Sequence, residues 1–256
     1  MRLISLGVRS DPVTRGQQDS YAVTAEFYDV LQAEQDAARV LDLYGEDVEK
    51  ARIGVLDVGA GTGRVTMMSL VTSQASVHAV EPTRSMRTPL MTRLASLPSA
   101  QRARVTVHPH PLDEAGLRGV ADVAVCHNTV ACLRPTERRA LWPALAKALV
   151  PGGVLLVQLP PAHVPPRRIR RVLPAQRVGR HEYGGHIDMS PAVNRIRTRF
   201  HYWVRSDEGV LLEDDETFWM WPVPRADVVA ELEGSGFVAL PPRADPAVLA
   251  VQLKPR

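Results

Sequence analysis

The chain is short of cysteine, lysine, aromatic residues and long apolar runs, and each shortage excludes something. Its two cysteines, Cys126 and Cys132, share one apolar stretch without a CxxC spacing or clustered histidines. That excludes a disulfide scaffold and supports no zinc site, so both thiols are expected to be reduced and no metal is expected. Nothing approaches the roughly 18 consecutive apolar residues of a membrane span, and the apolar run in MRLISLGVRSDPV is too short for a signal-peptide core. A cytosolic protein without a membrane partner is the expectation. Only Lys50, Lys147 and Lys254 are lysines among 31 basic residues, a pattern that follows GC-rich codon usage and says nothing about binding. Against 28 acidic residues the net charge is +3, too small a surplus to make nucleic acid the main partner.

What is present is enough apolar material, 45% over 256 residues, for one sizeable core and one to two domains. After a disordered start, Tyr21, Ala25, Tyr28, Leu31 and Ala38 recur at helical spacing, with Gly45 as a plausible stop. Five short apolar runs follow: IGVLDVG, SVHAVEP, RVTVHPH, ADVAVCHN and GGVLLVQLP. Helical patterns lie between them, in VTMMSLVTS, SMRTPLMTRLASL, PTERRALWPALAKALV and a weaker LDEAGLRG. Strands this apolar are buried on both faces, and their alternation with helices predicts an α/β fold with a doubly wound parallel sheet over residues 51–160.

The prolines of LPPAHVPP break that pattern. NRIRTRFHYWVRS and VLLEDDETFWMWPV then alternate around SDEG, which predicts a long antiparallel hairpin. PRADVVAELEGSGF reads as a helix capped near Asp227, and AVLAVQLK as a closing strand. The expected organisation is a helical segment over 1–50, the parallel core over 51–160, a basic loop and antiparallel insertion over 161–224, and a helix and strand over 225–256 that complete the core.

The most informative stretch is VLDVGAGTGR. A buried strand runs into Asp57, Gly59, Gly61 and Gly63 line a tight turn, and a helix starts beyond. Glycines let the backbone approach a ligand that a Cβ would repel, and the helix start offers free N–H groups. The turn lacks the third glycine of a dinucleotide fingerprint, which counts against NAD.

Taken together, Asp57 in LDVGAGTG, Glu81 in AVEPTRSM, the strand ADVAVCHNTVACL and the unit ALAKALVPGGVLLV resemble the class I S-adenosylmethionine-dependent methyltransferases in order over about residues 20–160. The resemblance implies a Rossmann-like fold, S-adenosylmethionine as cofactor and S-adenosylhomocysteine as product. It places the cofactor against Asp57, Gly59, Ala60 and Gly61, with Glu81 and Pro82 at the ribose, Met86 on the adenine face, and Cys126 and Asn128 at the end of the fourth strand. Many relatives carry Gly-Asp after the third strand, but here the chain reads HPHPLDE. A backbone group, His110 or Asp113 would have to substitute.

The acceptor side is less clearly written. YAVTAEFYD resembles the opening helix of small-molecule methyltransferases that act on amino sugars, where it is a lid; Tyr21 would then bond the methionine carboxylate and Tyr28 pack at the acceptor. His127 is read as a base, as a ring that bonds the cofactor, or as a satisfied structural histidine. CHNT is not the Asn/Asp-Pro-Pro-Tyr/Phe sequence of enzymes that methylate nucleic-acid bases. The insertion supplies aromatic and imidazole candidates for a substrate wall, Tyr183, His186, Trp203 and Trp219. Between Pro160 and Arg205 it also carries ten arginines against Glu182 and Asp188, read as a flexible basic loop that either is solvated and paired with its acidic neighbours or clamps an acidic substrate or leader peptide.

Three readings remain open: nitrogen methylation of a metabolite or modified peptide; oxygen methylation of a phenol or carboxylate with His127, His163 or His186 as base; and a non-catalytic cofactor-binding scaffold. Either a monomer or a homodimer fits the sequence.

Overall fold

The computed structural model describes residues 21–255, with residues 33–35 as backbone only; the expected disordered start lies outside the described residues. Helix α1 (Thr24–Glu49) opens the fold. It runs through Gly45, where a stop was expected, because Leu43, Tyr44 and Val48 on either side are packed into the core.

The parallel core follows as β1 (Gly54–Val58), α2 (Arg64–Thr72), β2 (Ser76–Val80), α3 (Arg84–Ala95), the short α4 (Ser99–Arg102), β3 (Val105–His108), β4 (Ala121–Cys126), α5 (Pro135–Ala148) and β5 (Leu149–Gln158). The weak LDEAGLRG pattern forms turns, not a helix. After the insertion, α6 (Arg225–Glu233), β10 (Phe237–Ala239) and β11 (Val248–Leu253) return to the core. Asp227 lies in the first turn of α6, whose cap is Pro224.

These strands make one seven-stranded sheet in the order β10-β11-β5-β4-β1-β2-β3, parallel except for β11, which pairs antiparallel with both neighbours. All five residues of β1 are buried, as a strand covered on both faces requires. One face packs Leu56, Leu145, Leu155 and Phe237 beneath α5 and α6; the other packs Val55, Val125 and Leu156 against the second half of α1 through Val40, Tyr44 and Val48. Strand order reverses between β1 and β4, so the crevice outside their carboxyl ends is the natural ligand site.

The insertion is more regular than the sequence suggested. In place of a flexible loop and a hairpin it holds four antiparallel strands, β6 (Ile169–Val178), β7 (His181–Pro191), β8 (Ile196–Ser206) and β9 (Gly209–Met220), paired in chain order. The basic segment is ordered because its charge is paired: Arg168 and Arg170 both bond Asp188, with Arg170 Nε 2.8 Å from Oδ1. These guanidinium groups, Arg170 first, hold the Asp188 carboxyl well below the usual carboxylate range. The expected turn does join β8 to β9, with Ser206 paired to Gly209.

The first half of α1 lies on one face of this second sheet. Phe27 and Leu31 pack with Leu173, Tyr202 and Val204, and Phe27 stacks on Tyr202 at 4.6 Å. At the helix start the Thr24 N–H donates to Glu216 Oε2 at 2.8 Å, and the Tyr202 hydroxyl bonds Thr24 Oγ1 at 3.2 Å. One helix therefore joins the two sheets and lies beside the crevice.

Candidate active site

The glycine turn is fixed by the neighbouring strand. Gly59 and Ala60 donate backbone N–H bonds to the Val80 carbonyl at 2.9 and 3.0 Å. The next N–H, of Gly61, donates to Glu81 Oε2 at 2.8 Å, and the Thr83 N–H donates to Oε1 at 2.8 Å. Glu81 is thus held flat by two backbone donors, with a further lone pair on each oxygen to offer a diol. It is 6% exposed, and burial raises its carboxyl against the lowering effect of the same two N–H groups. Pro82 beside it is exposed, and its carbonyl accepts from Arg87 Nη1 at 2.8 Å.

Two of the glycines show different needs. Gly59, at φ 72, has the Thr129 side chain 2.3 Å from where a Cβ would sit, so a side chain is barred by the protein itself. Gly61, at φ 57, meets only the Met86 methyl at 3.6 Å. A Cβ at Gly61 would therefore crowd no part of the protein; the space beside it is that of a cradle. Met86 is buried yet belongs to none of the core clusters, and its methyl borders this space.

Asp57 lies behind the turn, fully enclosed. Thr66 Oγ1 donates to its Oδ2 at 2.6 Å, and burial still pushes the carboxyl up to about 7. Cys126 turns into the core with its thiol raised by burial, so only its backbone can face a ligand. His110 and Asp113 are both exposed beyond β3.

Past β4, His127 is 8% exposed with both ring nitrogens engaged: Nδ1 meets the Tyr44 hydroxyl at 3.1 Å and Nε2 meets Asn128 Nδ2 at 3.2 Å. Burial first, then Arg39 and Arg64, lowers its pKa to about 4. The imidazole is neutral at pH 7 and has no free lone pair to serve as a base. Asn128 adopts φ 54 and its N–H donates to Gln158 Oε1 at 2.8 Å, which sets the end of β4. Asn128 and Gln158 also line a groove of about 460 Å³ with Pro160 and Met220.

From α1, Tyr28 reaches the neighbourhood of Asn128, and burial raises its hydroxyl. Tyr21 precedes the helix at φ 66 and stacks on Phe218 at 4.3 Å, and burial first, then the nearby Cys132, raises its hydroxyl.

Sequence reasoning missed how α1 is tied to the glycine turn. Asp29 Oδ1 accepts from Thr62 Oγ1 at 2.8 Å and Arg64 Nη2 at 2.7 Å, and Oδ2 pairs with Arg93. The available sign was the Asp immediately after Tyr28 and the Arg immediately after the third turn glycine, but nothing in their spacing, thirty-five residues apart, links them. Tyr44, the partner of His127, was hidden in the apolar stripe of α1.

The substrate candidates of the insertion do not converge. Strand alternation puts Tyr183 on the α1 face, beside Phe27, whereas His186 and Trp203 point to the opposite face. Trp219 pairs with Arg197 and so shares that opposite face. Trp203 lies across Gly184, where a Cβ would sit 2.1 Å from its ring, and stacks under Arg205 at 4.0 Å. Trp219 lies under Arg195 at 3.6 Å and borders a separate groove of about 730 Å³ with Arg134 and Trp221.

Residues 56–155 match the family model described as a methyltransferase domain. No curated protein matches the chain by sequence at a significant level. The chain shares its fold with solved structures of methyltransferases, and that likeness is one of fold. It is similar to DesVI of Streptomyces venezuelae, at 19% identity and a TM-score of 0.73 over 92% of this chain and 98% of that one. It is also similar to the sugar N-methyltransferase KedS8 from a Streptoalloteichus species, at 18% identity and TM-score 0.62 over 99% of each. A third similar structure is the glycopeptide N-methyltransferase MtfA complexed with S-adenosylhomocysteine, at 21% identity and TM-score 0.56 over 86% of this chain and 87% of that one. Among the described residues no helix is long and apolar enough to cross a membrane, and no cluster of His, Cys, Asp or Glu is arranged to hold a metal.

Proposed function

We propose that the protein is a cytosolic methyltransferase of bacterial secondary metabolism that methylates a nitrogen of a small metabolite, such as an amino sugar, or of a modified peptide. Bound S-adenosylmethionine supplies an electrophilic methyl group. The residues that would hold it are Glu81 at the ribose, Met86 at the adenine, the turn Gly59–Gly61 along its length and Asp57 behind the turn. This donor set fits: a carboxylate aligned by two N–H groups, a cradle beside Gly61 and a buried methionine whose methyl borders that cradle.

Helix α1 and the four-stranded sheet act as the cap of the acceptor site. Tyr28 and Asn128 orient the acceptor, and the aromatic pair Tyr21 and Phe218 closes one side and excludes water. The observation that carries the nitrogen reading is the engaged state of His127. A neutral amine attacks without a base, whereas a phenol gains from one. Of the three histidines considered as base, His127 has both nitrogens taken, His163 is exposed and His186 lies on the far face of the cap sheet.

The reading is tested by incubating the protein with methyl donor and matched acceptor panels, amino sugars and peptide amines against phenols and carboxylates, and reading added methyl mass. Transfer to amines alone supports it. Transfer to phenols alone overturns it, and tight donor binding with no transfer to any acceptor would favour the scaffold.

A further inference from the structure

His127 and Asn128 follow β4 directly, and their side chains are bonded to one another: Asn128 Nδ2 lies 3.2 Å from His127 Nε2, while the Tyr44 hydroxyl lies 3.1 Å from Nδ1. An amide NH2 can only donate, so Nε2 must be the ring nitrogen that carries the lone pair. The ring is neutral, so its one proton sits on Nδ1 and is donated to Tyr44 Oη. The tautomer and the amide therefore fix each other. With Nδ2 turned to the ring, Oδ1 is the end of the amide left for the groove that the exposed Asn128 lines with Gln158 and Met220. The backbone holds the residue there. Its N–H donates to Gln158 Oε1 at 2.8 Å, and φ 54 is a left-handed conformation that a residue with a side chain adopts at a cost.

We propose that Asn128 Oδ1 selects a neutral amine by accepting its N–H, with His127 as the positioning residue that turns this oxygen to the groove. The inference rests on the nitrogen-acceptor reading and gives it a source of specificity. An amine N–H that donates to Oδ1 steers the nitrogen while its lone pair stays uncommitted. A phenolate or carboxylate brings only lone pairs, and two hydrogen-bond acceptors facing each other with no proton between them are costly once water is excluded. A neutral phenol can donate, but its proton must leave before the oxygen attacks, and an amide oxygen is too weak a base to take it. The opposite tautomer would reverse the preference. A proton on Nε2 would be donated to Oδ1, the NH2 would face the groove, and an oxygen nucleophile would be the better guest. The position of one proton on a buried ring therefore decides which class of acceptor the groove takes.

Nitrogen NMR of the protein labelled at histidine reads the tautomer with no acceptor present, the His127 signals being assigned by their loss in His127→Gln. The proton should sit on Nδ1 at pH 7, and in Asn128→Asp, whose carboxylate can only accept, it should move to Nε2. With the best amino sugar or peptide amine of the acceptor panel, Asn128→Ala should lower kcat/KM on the order of tenfold, the worth of one hydrogen bond, and leave donor affinity, read by calorimetry, unchanged. His127→Leu frees the amide to turn and should lose about as much. His127→Gln, whose Oε1 can accept from Nδ2, should recover most of that loss. Unchanged kcat/KM in Asn128→Ala, no recovery in His127→Gln, or a parallel loss of donor affinity would overturn the inference. Amine methylation by a wild type with the proton on Nε2 would overturn it too and leave the nitrogen reading standing, whereas methylation of phenols alone would end both.

Discussion

The two sheets are made from opposite kinds of strand. In the seven-stranded sheet β1 is buried along its whole length and β4 nearly so, and both faces are covered. In the four-stranded sheet one face buries Leu173, Tyr202 and Val204 under α1, while the other carries Arg170, Asp188, Arg199 and Asp215 in paired charges. The first sheet is a scaffold whose strand ends make the crevice proposed to hold the cofactor; the second, proposed as its cap, is two-faced and meets that region through α1, the strand side facing it and the end of β9. Two ties couple them: α1, by Phe27 on the cap side and Asp29 on the side of the glycine turn, and the end of β9, where the Trp221 N–H donates to the Ala131 carbonyl at 2.8 Å.

The sharpest way to break this picture is Phe27→Ala. Phe27 is fully buried, and its loss should lower stability by about 3–5 kcal/mol in denaturant unfolding, with donor affinity falling as α1 loosens. A loss near zero would mean that α1 does not join the sheets.

A second effect belongs to the core side. His127 has its folded pKa lowered to about 4, so the unfolded chain binds a proton first as pH falls. Its contribution is present above about pH 6.5 and is lost between there and about pH 4, by about 3 kcal/mol in full. Asp57 acts in the opposite direction: its carboxyl is raised to about 7, so acidification through that range favours the fold. Comparing His127→Gln with wild type in urea at pH 7 and pH 4.5 cancels the Asp57 contribution. The variant should lose less stability on acidification, and an equal loss would show that His127 is not buried as a neutral ring.

The smallest expected change sharpens the division of the cap. Trp203 lies on the face away from α1, so Trp203→Leu should alter kcat/KM by no more than about twofold. A large loss would bring that face into the acceptor site.

The difference between the sheets also explains what was legible in the sequence. Continuous apolar runs with glycine at their ends announce buried parallel strands, so the core and the crevice at Asp57–Gly61 and Glu81 could be read directly. The cap strands β6 and β7 were not seen, because arginine-rich alternation looks like a solvated loop until Asp188 is placed beside Arg168 and Arg170. Trp203 and Tyr183 look alike as aromatic candidates, and only the register, with Gly184 opposite Trp203, sends them to different faces. The pairings of Asp29 with Arg64 and of Tyr44 with His127 depend on how α1 crosses the core, which no local pattern encodes.

The account depends most on Glu81, the carboxylate that the Gly61 and Thr83 N–H groups hold in place. Isothermal calorimetry of S-adenosylmethionine binding to wild type and Glu81→Ala tests it most directly. Loss of this charge-assisted anchor should weaken binding on the order of a hundredfold while the variant stays folded; a folded variant that binds the donor as tightly as wild type would contradict it.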